Sequence, residues 1–159
     1  MNTLPSFGSI LLTTDLSPEA SSAYAMVESL RRTYNSSLTV LACIDTSPLY
    51  LEASAGTIDS PTAIISPEAL QRSYADVEAS LKNLLAENFP GTRAHYHIIQ
   101  APSAVKHSIV TFARNNKPDL IVMASHGRSG VARAIMGSVT EHVLRHAKLP
   151  VLVVPAQQR

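Results

Sequence analysis

Five short apolar runs divide this chain, and most of them carry their apolar residues on consecutive positions instead of every second one. A strand with one buried face alternates. A strand that reads Ile10-Leu11-Leu12 or Val151-Leu152-Val153-Val154 must be covered on both faces. Between successive runs lie stretches whose apolar residues recur at three- and four-residue intervals, as amphipathic helices require. Strand and helix therefore alternate. That order predicts an α/β fold: an open parallel sheet, right-handed crossovers and helices on both faces, in a single domain over residues 1–159.

Ser9 to Thr14 is the first strand, with Asp15 directly at its carboxyl end. Ser17-Pro18-Glu19 starts a helix reaching Tyr34, because Ser is favoured as N-cap and Pro at the first helical position. Asn35-Ser36-Ser37 breaks it, and Leu38 to Ile44 is the second strand. Asp45 to Ser66 carries Pro48, Gly56 and Pro61 without a regular pattern, as functional or mobile loops do. Ser66-Pro67-Glu68 repeats the helix start, and Leu70, Tyr74, Val77, Leu81, Leu84 and Leu85 form a stripe that ends by Pro90-Gly91. Arg93 to Gln100 alternates more, with His95 and His97 set against Ala94, Tyr96 and Ile98, which suits an edge strand with one wetter face. A third helix opens at Ala101-Pro102 and closes before Lys117-Pro118. Then come a strand at Leu120-Ile121-Val122-Met123, a helix from Ser138 to Ala147, and the last strand, Val151 to Val154.

The last run is wholly apolar and, standing at the end of the chain, is expected at a sheet edge. Bare apolar edges invite pairing with another chain, so a homodimer through Val151 to Val154 is expected, with Pro150 and Pro155 limiting its extent. A net charge of +1 provides no field for gathering nucleic acid or an anionic membrane, so any anion site must be local. The single Cys43 excludes an internal disulfide. Met1 to Gly8 lacks the basic charge and apolar core of a signal peptide, and no apolar run approaches membrane-spanning length. A soluble, cytoplasmic protein is expected.

Function concentrates in Asp119 to Thr140. An apolar strand passes through a loop containing Gly127 and Gly130 and re-enters a helix at Gly137-Ser138. A helix N-terminus offers unpaired N–H donors and the positive end of its dipole, so this order builds a phosphate site. In an open parallel sheet, ligands bind outside the carboxyl ends of strands where strand order reverses. The first and fourth strands are the natural neighbours there, so Thr13-Thr14-Asp15 and Ala124-Ser125-His126-Gly127 should face one crevice. Asp15 could accept from ribose hydroxyls or hold a metal ion. There is no GxxxxGK[ST] P-loop, no GxGxxG after the first strand and no GxSxG elbow.

The pattern Ala124-x2-Gly127-x9-Gly137-Ser138, followed by Val-Thr-Glu and a terminal Leu-Pro-Val-Leu-Val-Val-Pro, resembles the universal stress protein family. The resemblance extends over essentially the whole chain. It implies a five-stranded Rossmann-like sheet in order 3-2-1-4-5 and dimerisation through the last strand. The ATP-binding branch of the family reads G-x2-G-x9-G-[S/T]; here Ala124 stands at the first glycine. Matched by position, Thr13, Thr14 and Asp15 would line the ribose and phosphate side of an ATP, with Mg²⁺ reached by Asp15 through the nucleotide. The Cys43 backbone would meet adenine, with Met123 nearby. His126, Gly127, Gly137, Ser138, Val139 and Thr140 would surround the phosphates, and Gly130 would lie in the connecting loop. The implied function is an ATP-binding stress-response and signalling protein acting as a dimer. Two alternatives stand beside it: an interaction module of the same fold that binds no nucleotide, favoured by Ala124, and a slow ATPase, for which no residue pair forms a convincing general base.

Blander roles compete at single positions. Asp15 also suits the cap of a turn, Ser138 an N-cap, and Arg128 and Arg133 a solvated loop. His142 and His146 lie four apart on a helix, and His95 and His97 share a strand face. Each pair supplies two ligands and reads as surface histidine. Cys43 reads as a small core residue.

Overall fold

The computed structural model describes residues 6–46, 67–125 and 136–155. The elements in chain order are β1 (Ser9–Thr14), a 3₁₀ turn (Glu19–Ser21), α1 (Ser22–Tyr34), β2 (Ser37–Asp45), α2 (Pro67–Asn88), β3 (Ala94–Ala101), α3 (Val105–Asn116), β4 (Leu120–Ala124), α4 (Ser138–His146) and β5 (Val151–Val154). The five strands form one sheet in the order β3-β2-β1-β4-β5, and every neighbouring pair is parallel. The expected loop from Asp45 to Ser66 falls largely on 47–66, outside the described residues.

The absence of alternation in the strands has a direct cause. Ile10 and Leu12 of β1, Val40 of β2 and Val122 of β4 pack with Tyr24 and Val27 of α1 and Leu81 and Leu84 of α2. The intervening Leu11, Leu41, Ile121 and Met123 point to the opposite face, against Ile109 and Val110 of α3 and Val143 of α4. Successive residues thus enter different cores, and each buried Leu or Ile contributes about 1.5–3 kcal/mol. β3, at one edge, does alternate, with His95 and His97 exposed. β5 forms the other edge and leaves Val151, Leu152 and Val153 half-buried.

Three boundaries differ from expectation. The helix expected from Ser17 begins as a 3₁₀ turn and becomes α-helical only at Ser22. Leu16 takes a left-handed φ of 61° there, and the Ser17 hydroxyl accepts from the Ala20 amide at 3.3 Å, a tight turn that delays the α-helix. Ala101 ends β3 and does not open a helix. Its carbonyl accepts from the Thr46 amide at 3.1 Å, and α3 starts after an extended Ala104. Pairing with β3 also carries β2 on to Asp45, opposite Ala101. The breakers act where expected. Asn35 and Lys117 close α1 and α3 in the left-handed conformation, and Gly91 takes φ 69° after α2. Among the described residues no helix is long and apolar enough to cross a membrane.

Candidate functional site

Strand order reverses between β1 and β4: from β1 the chain steps outward through β2 to β3, then returns to place β4 on the other side of β1. A cleft of about 550 Å³ opens there, beyond the carboxyl ends of β1, β2 and β4, within the size range of small-molecule sites. Ten of the thirteen residues singled out in the sequence line it: Thr13, Thr14, Asp15, Cys43, Met123, Ala124, Gly137, Ser138, Val139 and Thr140. His126, Gly127 and Gly130, with Arg128 and Arg133, lie outside the described residues.

The lip at the end of β1 is held by its own side chains. Asp15 Oδ1 accepts from the Ser17 amide at 3.0 Å and from the Ser17 hydroxyl at 2.6 Å. The Thr14 hydroxyl accepts from the Leu16 amide and meets the Tyr24 hydroxyl, each at 3.0 Å. Burial and the nearby Asp15 charge push the Tyr24 phenol up, against the pull of its bond to Thr14. Turn-capping and a place on the cleft are thus both true of Asp15. These bonds hold Leu16 in a backbone conformation that costs on the order of 1–2 kcal/mol for a residue with a Cβ.

The opposite lip is the start of α4. Gly137 is its N-cap, its carbonyl accepting from the Glu141 amide at 2.9 Å, and among the described residues no side chain caps the helix. Ser138 is therefore the first helical residue rather than the N-cap. The amides of Ser138, Val139 and Thr140 have no partner inside the helix, and they stand at the positive end of its dipole beside the cleft. Two bonds fix this helix start to the sheet. The Thr140 hydroxyl donates to the Ala124 carbonyl at 3.1 Å, and the Gly137 amide donates to the Ser125 carbonyl at 3.0 Å. Thr140 thus has its hydroxyl engaged and its amide facing the site.

Ala124, the departure from the family pattern, is the last residue of β4 and keeps a negative φ. An extended conformation accepts alanine without strain, so the methyl adds bulk to the cleft wall and does not distort the backbone. Gly137, with φ −58° and ψ 146°, likewise needs no special freedom. The Cys43 thiol is pushed up to about 12 by burial, so it is no nucleophile at neutral pH.

The sequence did not single out the remaining walls. Ser73 and Val77 of α2, Val105 and Ile109 of α3, and Leu16 and Asp45 also border the cleft. Val77, Val105 and Ile109 sit on the apolar stripes of their helices and so read as core. Val105 and Ile109 are one turn apart, and the end of a stripe lying beyond a strand's carboxyl end is the signal that marks such a wall. Among the described residues no group of three His, Cys, Asp or Glu side chains is arranged to hold a metal ion.

Residues 6–155 match the model of the universal stress protein family. Universal stress protein MJ0531 of Methanocaldococcus jannaschii is 28% identical over 147 residues, covering 91% of this chain and 80% of that protein. The solved structure of MJ0577, from the same organism, superposes with a TM-score of 0.77 at 24% identity, covering 96% of this chain and 99% of that one. A universal stress protein solved in complex with cAMP superposes with a TM-score of 0.58 at 20% identity, covering 96% and 99%. The sheet order, the cleft at its switch point and the match over nearly the whole length lead to one conclusion: this chain belongs to the universal stress protein family.

Proposed function

We propose that the cleft binds an adenine nucleotide, ATP with Mg²⁺, and that the protein is a cytoplasmic stress-response signalling protein acting as a nucleotide-bound homodimer. One observation carries the reading. The first turn of α4 offers three backbone amides without helical partners to a cleft whose facing lip ends in a carboxylate. That pairing suits a ligand with phosphates at one end and hydroxyls at the other. The phosphates lie on Ser138, Val139 and Thr140, together with His126 and Gly127. The ribose meets Thr13, Thr14 and Asp15, and the base sits by Cys43 and Met123 between apolar walls from α2 and α3. Mg²⁺, where present, is held by the phosphates and reached by Asp15. The relative solved with cAMP adds support from an adenine nucleotide on the same fold. The dimer rests on β5, an edge strand with three half-buried apolar residues.

The experiment is direct. Protein purified without added nucleotide is denatured, and its supernatant is analysed by ion-exchange chromatography and mass spectrometry. An adenine nucleotide approaching one per chain is expected. A clean supernatant, together with no binding of added ATP by calorimetry, refutes the reading in favour of an interaction module. Release of phosphate from bound ATP would move it to a slow ATPase.

A further inference from the structure

Three of the six histidines meet where α3 packs along α4. His107, in the first turn of α3, stands edge-on to His142, with ring centroids 4.5 Å apart and planes at 84°. His146, one turn beyond on α4, stacks on His142 at 4.1 Å and 21°. The His146 Nδ1–H donates to the His142 carbonyl at 2.8 Å and so holds the stack. Neutral imidazoles pack against one another as aromatic rings do, and charged ones at these distances repel.

We propose that His107, His142 and His146 form a pH-sensitive contact between α3 and α4, closed while His142 is neutral and loosened when it takes a proton. His142 is the centre of the cluster, because it touches both other rings. It is half-buried, and burial first, then His146, His107 and Lys106, holds its pKa below the ordinary 6.5. α3 brings Lys106 and His107 to this contact. α4 itself brings His146, Glu141 and Arg145, of which the last two pair at 2.9 Å. β5, which also packs on α4, is Val151-Leu152-Val153-Val154 and brings no titratable group. β2 and β3, packed on α3, carry Cys43 and Asp45 at the cleft and His97 against Phe112. With a lowered folded value, the unfolded chain binds the His142 proton more readily than the folded one. The stability from this contact is full above pH 6.5 and is lost as pH falls from 6.5 through the lower folded value. The first turn of α4 is the donor lip of the cleft, and Val105 and Ile109 of α3 form part of its wall. Loosening the contact therefore reaches the cleft, whose donor lip would be firmest at neutral and alkaline pH. The contact itself needs no nucleotide.

The untagged full chain, refolded from denaturant so that it carries no ligand, is unfolded with urea at about pH 7.5 and about pH 5.5 at one ionic strength, and each imidazole is titrated by NMR. A histidine that ordinarily titrates at 6.5 and is held neutral one pH unit lower raises the unfolding constant by up to about tenfold over that interval. His142→Gln, which places a good helix former without a titrating proton at the same position, should remove most of that rise. In the parent His142 should titrate below 6.5, and its midpoint should move up in His107→Gln and in His146→Gln, each of which removes one neighbouring charge. His95→Gln, on β3, should leave both readouts as in the parent. A His142 midpoint at or above 6.5, a midpoint unmoved in both neighbour variants, or a pH dependence as steep in His142→Gln as in the parent would overturn the proposal.

Discussion

The two lips of the cleft solve opposite problems. At the end of β1 the polar groups satisfy one another: Asp15 takes both the amide and the hydroxyl of Ser17, and Thr14 links Leu16 to Tyr24. At the start of α4 no described side chain caps the helix, while Thr140 and Gly137 bond to the sheet and hold the helix in place. One lip is a finished turn that presents a carboxylate. The other is a fixed row of backbone donors with no partner inside the helix. Both lips are thus held in position, and the lip whose amides have no partner inside the helix is where binding energy should come from.

The sharpest way to break this contrast is Ser138→Pro. Proline is well accepted at the first helical position, and the extended ψ of Gly137 suits a following proline. The substitution removes one amide that bonds to nothing within the helix, so thermal stability should be nearly unchanged. Losing a hydrogen bond to a charged phosphate should cost about 1.5–3 kcal/mol of nucleotide affinity, measured by calorimetry. Unchanged affinity would mean that this helix start is not the phosphate site.

Asp15→Ala tests the other lip and should act on both fold and ligand. Removing the acceptor for Ser17 should destabilise by about 1 kcal/mol, as loss of a cap does, read from chemical denaturation. Affinity should fall as well. Asp15→Asn, which keeps a side-chain oxygen, should recover most of the stability and little of the affinity. If both variants bind alike, the role of Asp15 is confined to the turn.

The smallest effect lies away from both lips and serves as a control. Glu28 is held down at about 2, first by its hydrogen bond to Arg31 and also by Arg32. Its folded value lies below the ordinary 4.5, so its contribution is present above pH 4.5 and is lost as pH falls toward about 2. Glu28→Gln should cost about 0.5 kcal/mol near neutral pH and flatten the stability profile across that acid window. Nucleotide affinity should not change. A profile as steep as the parent's would show that Arg31 and Arg32 are not what holds Glu28 down.

The strands were legible in the sequence because burial on both faces leaves a plain mark, a run such as Ile10-Leu11-Leu12 without polar interruption. The helix ends at Asn35, Lys117 and Gly91 were legible because breakers act locally. Helix starts were harder. Ser17-Pro18 carries the residues of an α-helical N-terminus, yet the left-handed turn at Leu16, invisible in a leucine, sends the chain first into a 3₁₀ turn. The floor and lips of the cleft could be listed because they follow strand ends and a glycine-marked helix start. Its side walls could not. Val77, Val105 and Ile109 look like any residues on an apolar stripe until the sheet shows which of them lie beyond its carboxyl edge.

The central claim, that this cleft takes an adenine nucleotide on the bare start of α4, is met most directly by thermal unfolding with and without Mg²⁺-ATP. At about 100 times its dissociation constant the ligand should stabilise the chain by about 2.7 kcal/mol, a rise of roughly 5–10 °C for a domain of this size. The Ser138→Pro variant should show a clearly smaller rise at the same concentration. A melting temperature that stays put at millimolar ATP, or a rise equal in parent and variant, would contradict the account.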